Sequence, residues 1–110
     1  MPENRTPTRV RMKNKGSLRP PGGSRIPVWI QDLSTESISV LCRSSLKVGS
    51  NFEIEMALSM NGRLVPMRLH GQITHVHLAG DEFFTRLGFV HMKPECEKTI
   101  LTYIKYRLNL

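Results

Sequence analysis

Acidic side chains are scarce in this sequence: nine Asp and Glu stand against sixteen Lys and Arg in 110 residues, a formal charge of +7. Cysteine is scarcer still. Cys42 and Cys96 form no C-x-x-C pair and lie at no metal-type spacing from a histidine, which argues against a disulfide framework or a zinc site and for two reduced thiols. No run approaches the ~18 consecutive apolar residues of a membrane span. The charged start, "MPENRTPTRVRMKNKG", has no apolar segment behind it, so it reads as neither a secretory signal nor an amphipathic anchor, and the chain is expected in the cytoplasm. There is no G-x-S-x-G elbow and no P-loop, and no Ser-His-Asp or Cys-His order can be assigned, so an enzyme is not expected. No internal repeat or second apolar block is present. A chain of this length buries one modest core, and one domain is expected.

The excess positive charge is concentrated at one end. Residues 1–25 hold seven cations (Arg5, Arg9, Arg11, Lys13, Lys15, Arg19, Arg25) and one acid, Glu3, a net of +6; residues 26–110 hold nine cations and eight acids, a net of +1. This describes a basic, flexible N-terminal arm (1–25) on a nearly neutral body (26–110). Such an arm suits an anionic partner: a nucleic acid, a nucleotide or an acidic membrane surface. A solubilising tail has the same composition, since the only larger apolar residues of the arm are Met1, Val10, Met12 and Leu18.

"RPPGGSR" separates arm from body, because Pro20, Pro21, Gly22 and Gly23 continue neither helix nor strand. The body then reads as sheet. "RIPVWIQDL" and "SISVLCR" are short strands, with Ile30, Leu33, Ile38 and Val40 as expected core. Phe52, Ile54, Met56, Leu58 and Met60 alternate with polar or small residues and run into Asn61-Gly62, the pair best suited to a type I′ hairpin. The returning strand puts Val65, Met67 and Leu69 on one face, and Pro66, which lacks a ladder donor, predicts an edge or bulge. Gly71 and the change of parity between Ile73 and Val76 predict a bend. After "LAGDE" comes a strand "FFTRLGFVHM". "PECEKTILTYIKYRL" then reads as a helix, with Pro94, Glu95 and Glu97 suited to its first turn, Lys105 and Arg107 to its last, and a stripe of Cys96, Ile100, Ile104 and Leu108 widened by Leu101 and Tyr103. Trp29, Phe83, Phe84 and Phe89 are read as core. The fold class is mainly β: a small six-stranded antiparallel barrel with a C-terminal helix.

Three groups of residues carry possible chemistry. His75 and His77, two apart on a strand, share a face, but they lack further ligands outside an exposed turn, and no metal site is expected. "QDLSTES" places Asp32, Ser34, Thr35, Glu36 and Ser37 between two apolar runs, as either a hydrogen-bonded turn or a ligand site would. Arg5 and Arg9 in "RTPTR" are the only arginines four positions apart. The planar fork of arginine suits the O6/N7 edge of guanine and phosphate oxygens.

"RTPTR", followed after 22 residues by "DLSTES", resembles the paired signature of the PilZ domain family, R-x-x-x-R and then [D/N]-x-S-x-x-G. The order of strands, the "LGFVHM" closing strand and the terminal helix are also similar to that family, over Arg5 to about Leu108. The resemblance implies a six-stranded barrel acting as a bacterial cytoplasmic receptor or adaptor for cyclic diguanylate (c-di-GMP), with no cofactor. It assigns Arg5 and Arg9 to phosphate and guanine, Asp32 and Ser34 to hydrogen bonds with guanine and nearby ligand oxygens, and His77 to the neighbourhood of a base-packing residue. The sequence departs from the pattern at Ser37, where the family has Gly, and Pro7 restricts the arm between the two arginines. A downstream protein partner is implied but not identified. Two alternatives remain: a degenerate barrel of the same family that binds proteins and no nucleotide, and a small barrel that binds RNA or single-stranded DNA. The second is disfavoured by the placing of the aromatic residues in the core.

Overall fold

A computed structural model of the chain describes residues 7–109. Six strands, β1 (Val10–Arg19), β2 (Ile26–Leu33), β3 (Ser37–Cys42), β4 (Asn51–Met60), β5 (Arg63–Ala79) and β6 (Glu82–Phe89), precede one helix, α1 (Pro94–Leu108). All pairings are antiparallel, in the order β1-β2-β3-β6-β5-β4, and β1 returns to β4 through Ser17↔Glu55, Leu18↔Ile54 and Arg19↔Glu53 to close a barrel. Closure pairs most strands on both sides and leaves the β4–β5 hairpin, residues 56–70, projecting from the ring with one partner per strand.

The boundary between arm and body is corrected by β1. Residues 10–19, expected to belong to the flexible arm, are a wall of the barrel, and the first six residues lie outside those described. Val10, Met12 and Leu18 point into the core, while Arg11, Lys13 and Lys15 point out. Such a strand has the average composition of a disordered tail, because its charges occupy one face and its apolar groups the other. Gly16 is part of the reason β1 fits: a Cβ there would stand 2.9 Å from Ile30 Cδ1 and 3.0 Å from the Glu55 carbonyl oxygen.

The remaining strands follow their sequence patterns. Phe52, Ile54, Met56 and Leu58 of β4 are buried against Met67, Leu69 and Ile73 of β5, and Ile30, Leu33, Ile38 and Val40 are fully buried. Asn61 and Gly62 both have positive φ, 51° and 75°, as the type I′ turn requires. Pro66 pairs only toward β4, in the half of β5 that precedes its pairing with β6, so its missing donor breaks no ladder. The predicted bend is a register shift between Ile73 and His75, which turns Ile73 inward and leaves His75 outside.

The helix begins at Pro94 and ends at Asn109, a left-handed cap whose N–H bonds back to the last turn. Ile100, Tyr103 and Ile104 bury its inner face near β1 and β4, whereas Leu101 and Leu108, placed in the apolar stripe from sequence, are each 43% exposed. The aromatic expectation also needs correction: Trp29 is 43% exposed, and Phe83, Phe84 and Phe89 are only half-buried. Trp29 alternates with buried Val28 and Ile30, and Phe84 with buried Thr85 and Leu87, so both face outward, and the register sets them beside Leu41.

Candidate functional site

The polar stretch between β2 and β3 is a tight turn built around Ser34. Its backbone N–H donates to the Ser37 carbonyl at 2.9 Å, and its buried Oγ accepts from the N–H groups of Glu36 and Ser37, each at 3.1 Å. One hydroxyl thereby satisfies two backbone donors at the turn. On the far side, the Phe89 N–H donates to the Glu36 carbonyl at 2.9 Å, fastening the turn to the end of β6.

Arg9, immediately before β1, reaches this turn from the other side. Its guanidinium donates to Asp32 Oδ1 and to Ser37 Oγ, with longer contacts to Ser34 Oγ at 3.3 Å and to the Ser37 carbonyl at 3.5 Å. The Arg9 and Asp32 side chains are 27% and 17% exposed, so their pair is partly desolvated and its charge-assisted bonds are stronger than on an open surface. Asp32 Oδ2 faces a second guanidinium, Arg86 Nη2, at 4.0 Å, and Arg86 Nε donates to the buried Ser39 Oγ at 2.9 Å. Asp32 is held between two arginines.

The structure therefore brings together four of the residues singled out in the sequence: Arg9, Asp32, Ser34 and Ser37. Arg5 lies outside the described residues. His77 does not touch the Arg9 cluster; its ring stacks on Phe84 at 4.9 Å and 18°, and its Nδ1 lies 2.8 Å from Nε2 of His75. The Gly-to-Ser departure carries no backbone strain, since Ser37 is not among the residues of positive φ, and its hydroxyl is used as an acceptor by Arg9. Among the described residues no three ligating side chains gather in a way that could hold a metal ion.

Arg86, Ser39, His75 and Phe84 border the cluster and went unassigned to it from sequence. Their signal is cross-strand register. Arg11, Asp32, Ser39, Arg86 and His75 are successive paired positions on β1, β2, β3, β6 and β5, a polar row across the outer wall. Lys15, Trp29, Leu41, Phe84 and His77 form a second, aromatic and apolar row beside it. Trp29 and Asp32 are three residues apart and would face opposite sides of a regular strand. The register shift between Ile30 and Asp32 brings both to the outside, where they line one open depression of about 740 Å³.

No family model and no curated protein matches the sequence. The fold, by contrast, has clear counterparts among solved structures. The inhibitor of motility MotI/DgrA of Bacillus subtilis superposes with a TM-score of 0.83 at 13% identity, covering 97% of this chain and 52% of that one. The PilZ domain of YcgR from Escherichia coli, solved with c-di-GMP, gives 0.76 at 14% identity and covers 97% and 94% of the two chains. The MrkH–c-di-GMP complex of K. pneumonia gives 0.72 at 12% identity, over 97% and 54%. The chain thus spans about half the length of MotI/DgrA and of MrkH, and nearly all of the YcgR domain. The fold that carries the Arg9 cluster is that of a PilZ domain.

Proposed function

We propose that this chain is a receptor for c-di-GMP and transmits the level of that messenger to a protein partner. The observation that carries the reading is the meeting of Arg9 with Asp32, Ser34 and Ser37: the two halves of the motif, 23 to 28 residues apart in sequence, converge on one outer corner of the barrel. Support comes also from fold neighbours solved with this nucleotide.

The chemistry is binding, with no bond made or broken. A cyclic dinucleotide offers two phosphates and two guanines. Arg9 exchanges its internal acceptors for a phosphate or for the guanine O6/N7 edge, for which its fork is matched. Asp32, released from Arg9, accepts from the guanine N1–H and N2–H, with Ser37 adding a hydroxyl, while Ser34 keeps the turn in shape. Arg5, four residues upstream, grips the ligand from the arm side. His77, next to the polar row, packs at the ligand's margin. Because Arg9 already has partners, the ligand gains only the difference between new and old contacts. The change it makes is local to the segment before β1, which is where a partner would read it.

Calorimetric titration with c-di-GMP, beside GMP and an Arg9→Ala variant, tests the reading. Saturable heats in the native chain, at least tenfold weaker binding in Arg9→Ala and none with GMP are expected. Flat heats from a folded native chain would overturn it. They would favour a barrel in which Arg9 serves only to pin the β2–β3 turn, a role its four internal acceptors equally suit.

A further inference from the structure

We infer that the aromatic row on the outer wall, Lys15–Trp29–Leu41–Phe84, is a binding strip for single-stranded nucleic acid that borders the Arg9 cluster at Asp32 and Arg86 and does not rest on the cyclic dinucleotide reading. Trp29 lies at the centre of the strip, between Lys15 and Leu41. Burying an indole is among the largest hydrophobic gains available to a small core, yet this one, the only tryptophan of the chain, stands 43% exposed on the barrel wall. Leu41 and Phe84 continue its row on β3 and β6 in direct register. Cations accompany both rings: Lys15 Nζ lies 5.5 Å from the Trp29 ring centre, and the Arg86 guanidinium carbon lies 5.5 Å from that of Phe84.

The depressions on the two sides of Trp29 complete the strip. They measure about 740 and 620 Å³, and their charged lining is five cations (Arg11, Lys13, Lys15, Arg43, Arg107) against two acids, Asp32 and Glu82. Asp32 is already committed to Arg9. Arg11, Lys13 and Lys15 are all exposed along β1, so positive charge follows one edge of the strip.

An acidic protein would answer the charges but has no need of flat rings. A purely apolar partner would answer Trp29 and Leu41 but not an excess of three cations. Single-stranded nucleic acid answers both, since its bases stack on aromatic faces while its phosphates follow the cations. The aromatic core expected from sequence was the objection to this class of partner. The exposure of Trp29 removes it.

The test uses Trp29 as its own reporter. The native chain is titrated with 12-mers of oligouridylate and oligodeoxythymidylate at several salt concentrations, following tryptophan emission, with polyglutamate as a polyanion without bases. The expected result is saturable quenching by one or both oligonucleotides, with log K falling against log salt by about 0.7 per phosphate neutralised. Polyglutamate should give no quenching. By anisotropy of a labelled oligonucleotide, Trp29→Ala should bind about tenfold more weakly or worse, and Trp29→Phe should keep most of the affinity, which separates stacking from a folding defect. Absent quenching, equal affinity in Trp29→Ala, or polyglutamate binding as tight as either oligonucleotide would overturn the inference. Flat c-di-GMP heats together with oligonucleotide quenching would refute the receptor reading alone.

Discussion

At the scale of single residues, the polar stretch between β2 and β3 divides into groups that build the turn and groups that remain available. Ser34 is fully buried, and its Oγ serves the Glu36 and Ser37 amides. Ser34→Ala leaves those donors without that acceptor, and a loss of about 1–3 kcal/mol is expected from the urea midpoint. Ser37 is different, because its hydroxyl serves Arg9 and no backbone group. Ser37→Ala should cost less than about 1 kcal/mol of stability while loosening Arg9. Because the Ser37 hydroxyl also contacts the ligand in the proposed site, the same variant should bind c-di-GMP several-fold more weakly by calorimetry, about the worth of one hydrogen bond. Tighter binding would instead make Ser37 only an internal competitor for Arg9. The motif residues were legible in the sequence because their spacing is local to two short segments. Arg86 and Ser39 were not, since their place beside Asp32 depends on how β6 pairs with β3.

At the scale of the elements, β1 and its two neighbours decide whether the wall closes. Gly16 lies so near the Ile30 side chain and the Glu55 carbonyl that an added methyl has to push the Ile30 side chain aside and crowd that carbonyl. Gly88 of β6 has only Thr74 Cγ2 near, at 3.5 Å. Gly16→Ala should therefore destabilise by about 1–3 kcal/mol, whereas Gly88→Ala should be close to neutral in the same urea titration. Equal effects would mean that β1 can shift to make room. The seam between β1 and β4 also carries the Arg19–Glu53 pair. The Arg19 guanidinium, donating to Glu53, holds that carboxyl below its ordinary value; desolvation opposes the shift, and the charges of Arg19, Arg68 and His70 add to it. Because the folded value lies below the unfolded one, the contribution is fully present above the ordinary carboxylate range, about pH 4.3 and upward. It is lost as pH falls through the depressed value. Glu53→Gln should lower the urea midpoint slightly at neutral pH, and the difference should close as the solution is acidified. A difference that stays constant with pH would locate the effect in packing instead.

At the scale of the whole molecule, six strands in a closed ring leave no dispensable wall. A basic arm hung on a complete body would be removable. Here deletion of residues 1–19 takes away Val10, Met12 and Leu18 from the core and opens the edges of β2 and β4. That deletion should abolish cooperative thermal unfolding and promote association through the exposed edges, as calorimetry and sedimentation would show. A folded, monomeric product would restore the division into arm and body. The charge of +7 also acts at this scale. Within the outer wall, the polar row next to the Arg9 corner and the aromatic row beside it share strands, so a ligand on one lies within a strand's width of the other.

Much of this protein was determined by its sequence alone. Alternation over β4 and β5, the Asn61-Gly62 turn and the Pro94 start of α1 are local consequences of side-chain period, left-handed backbone preference and a missing amide donor. Such signals survive in any tertiary context. The tertiary structure alone decided that β1 is a wall, that Asp32 shares the outer face with Trp29 and that Arg86 stands beside Asp32. These depend on closure of the ring and on register shifts in β1, β2 and β5. A one-residue shift reverses which face a side chain occupies, and the information that places it lies in the partner strand.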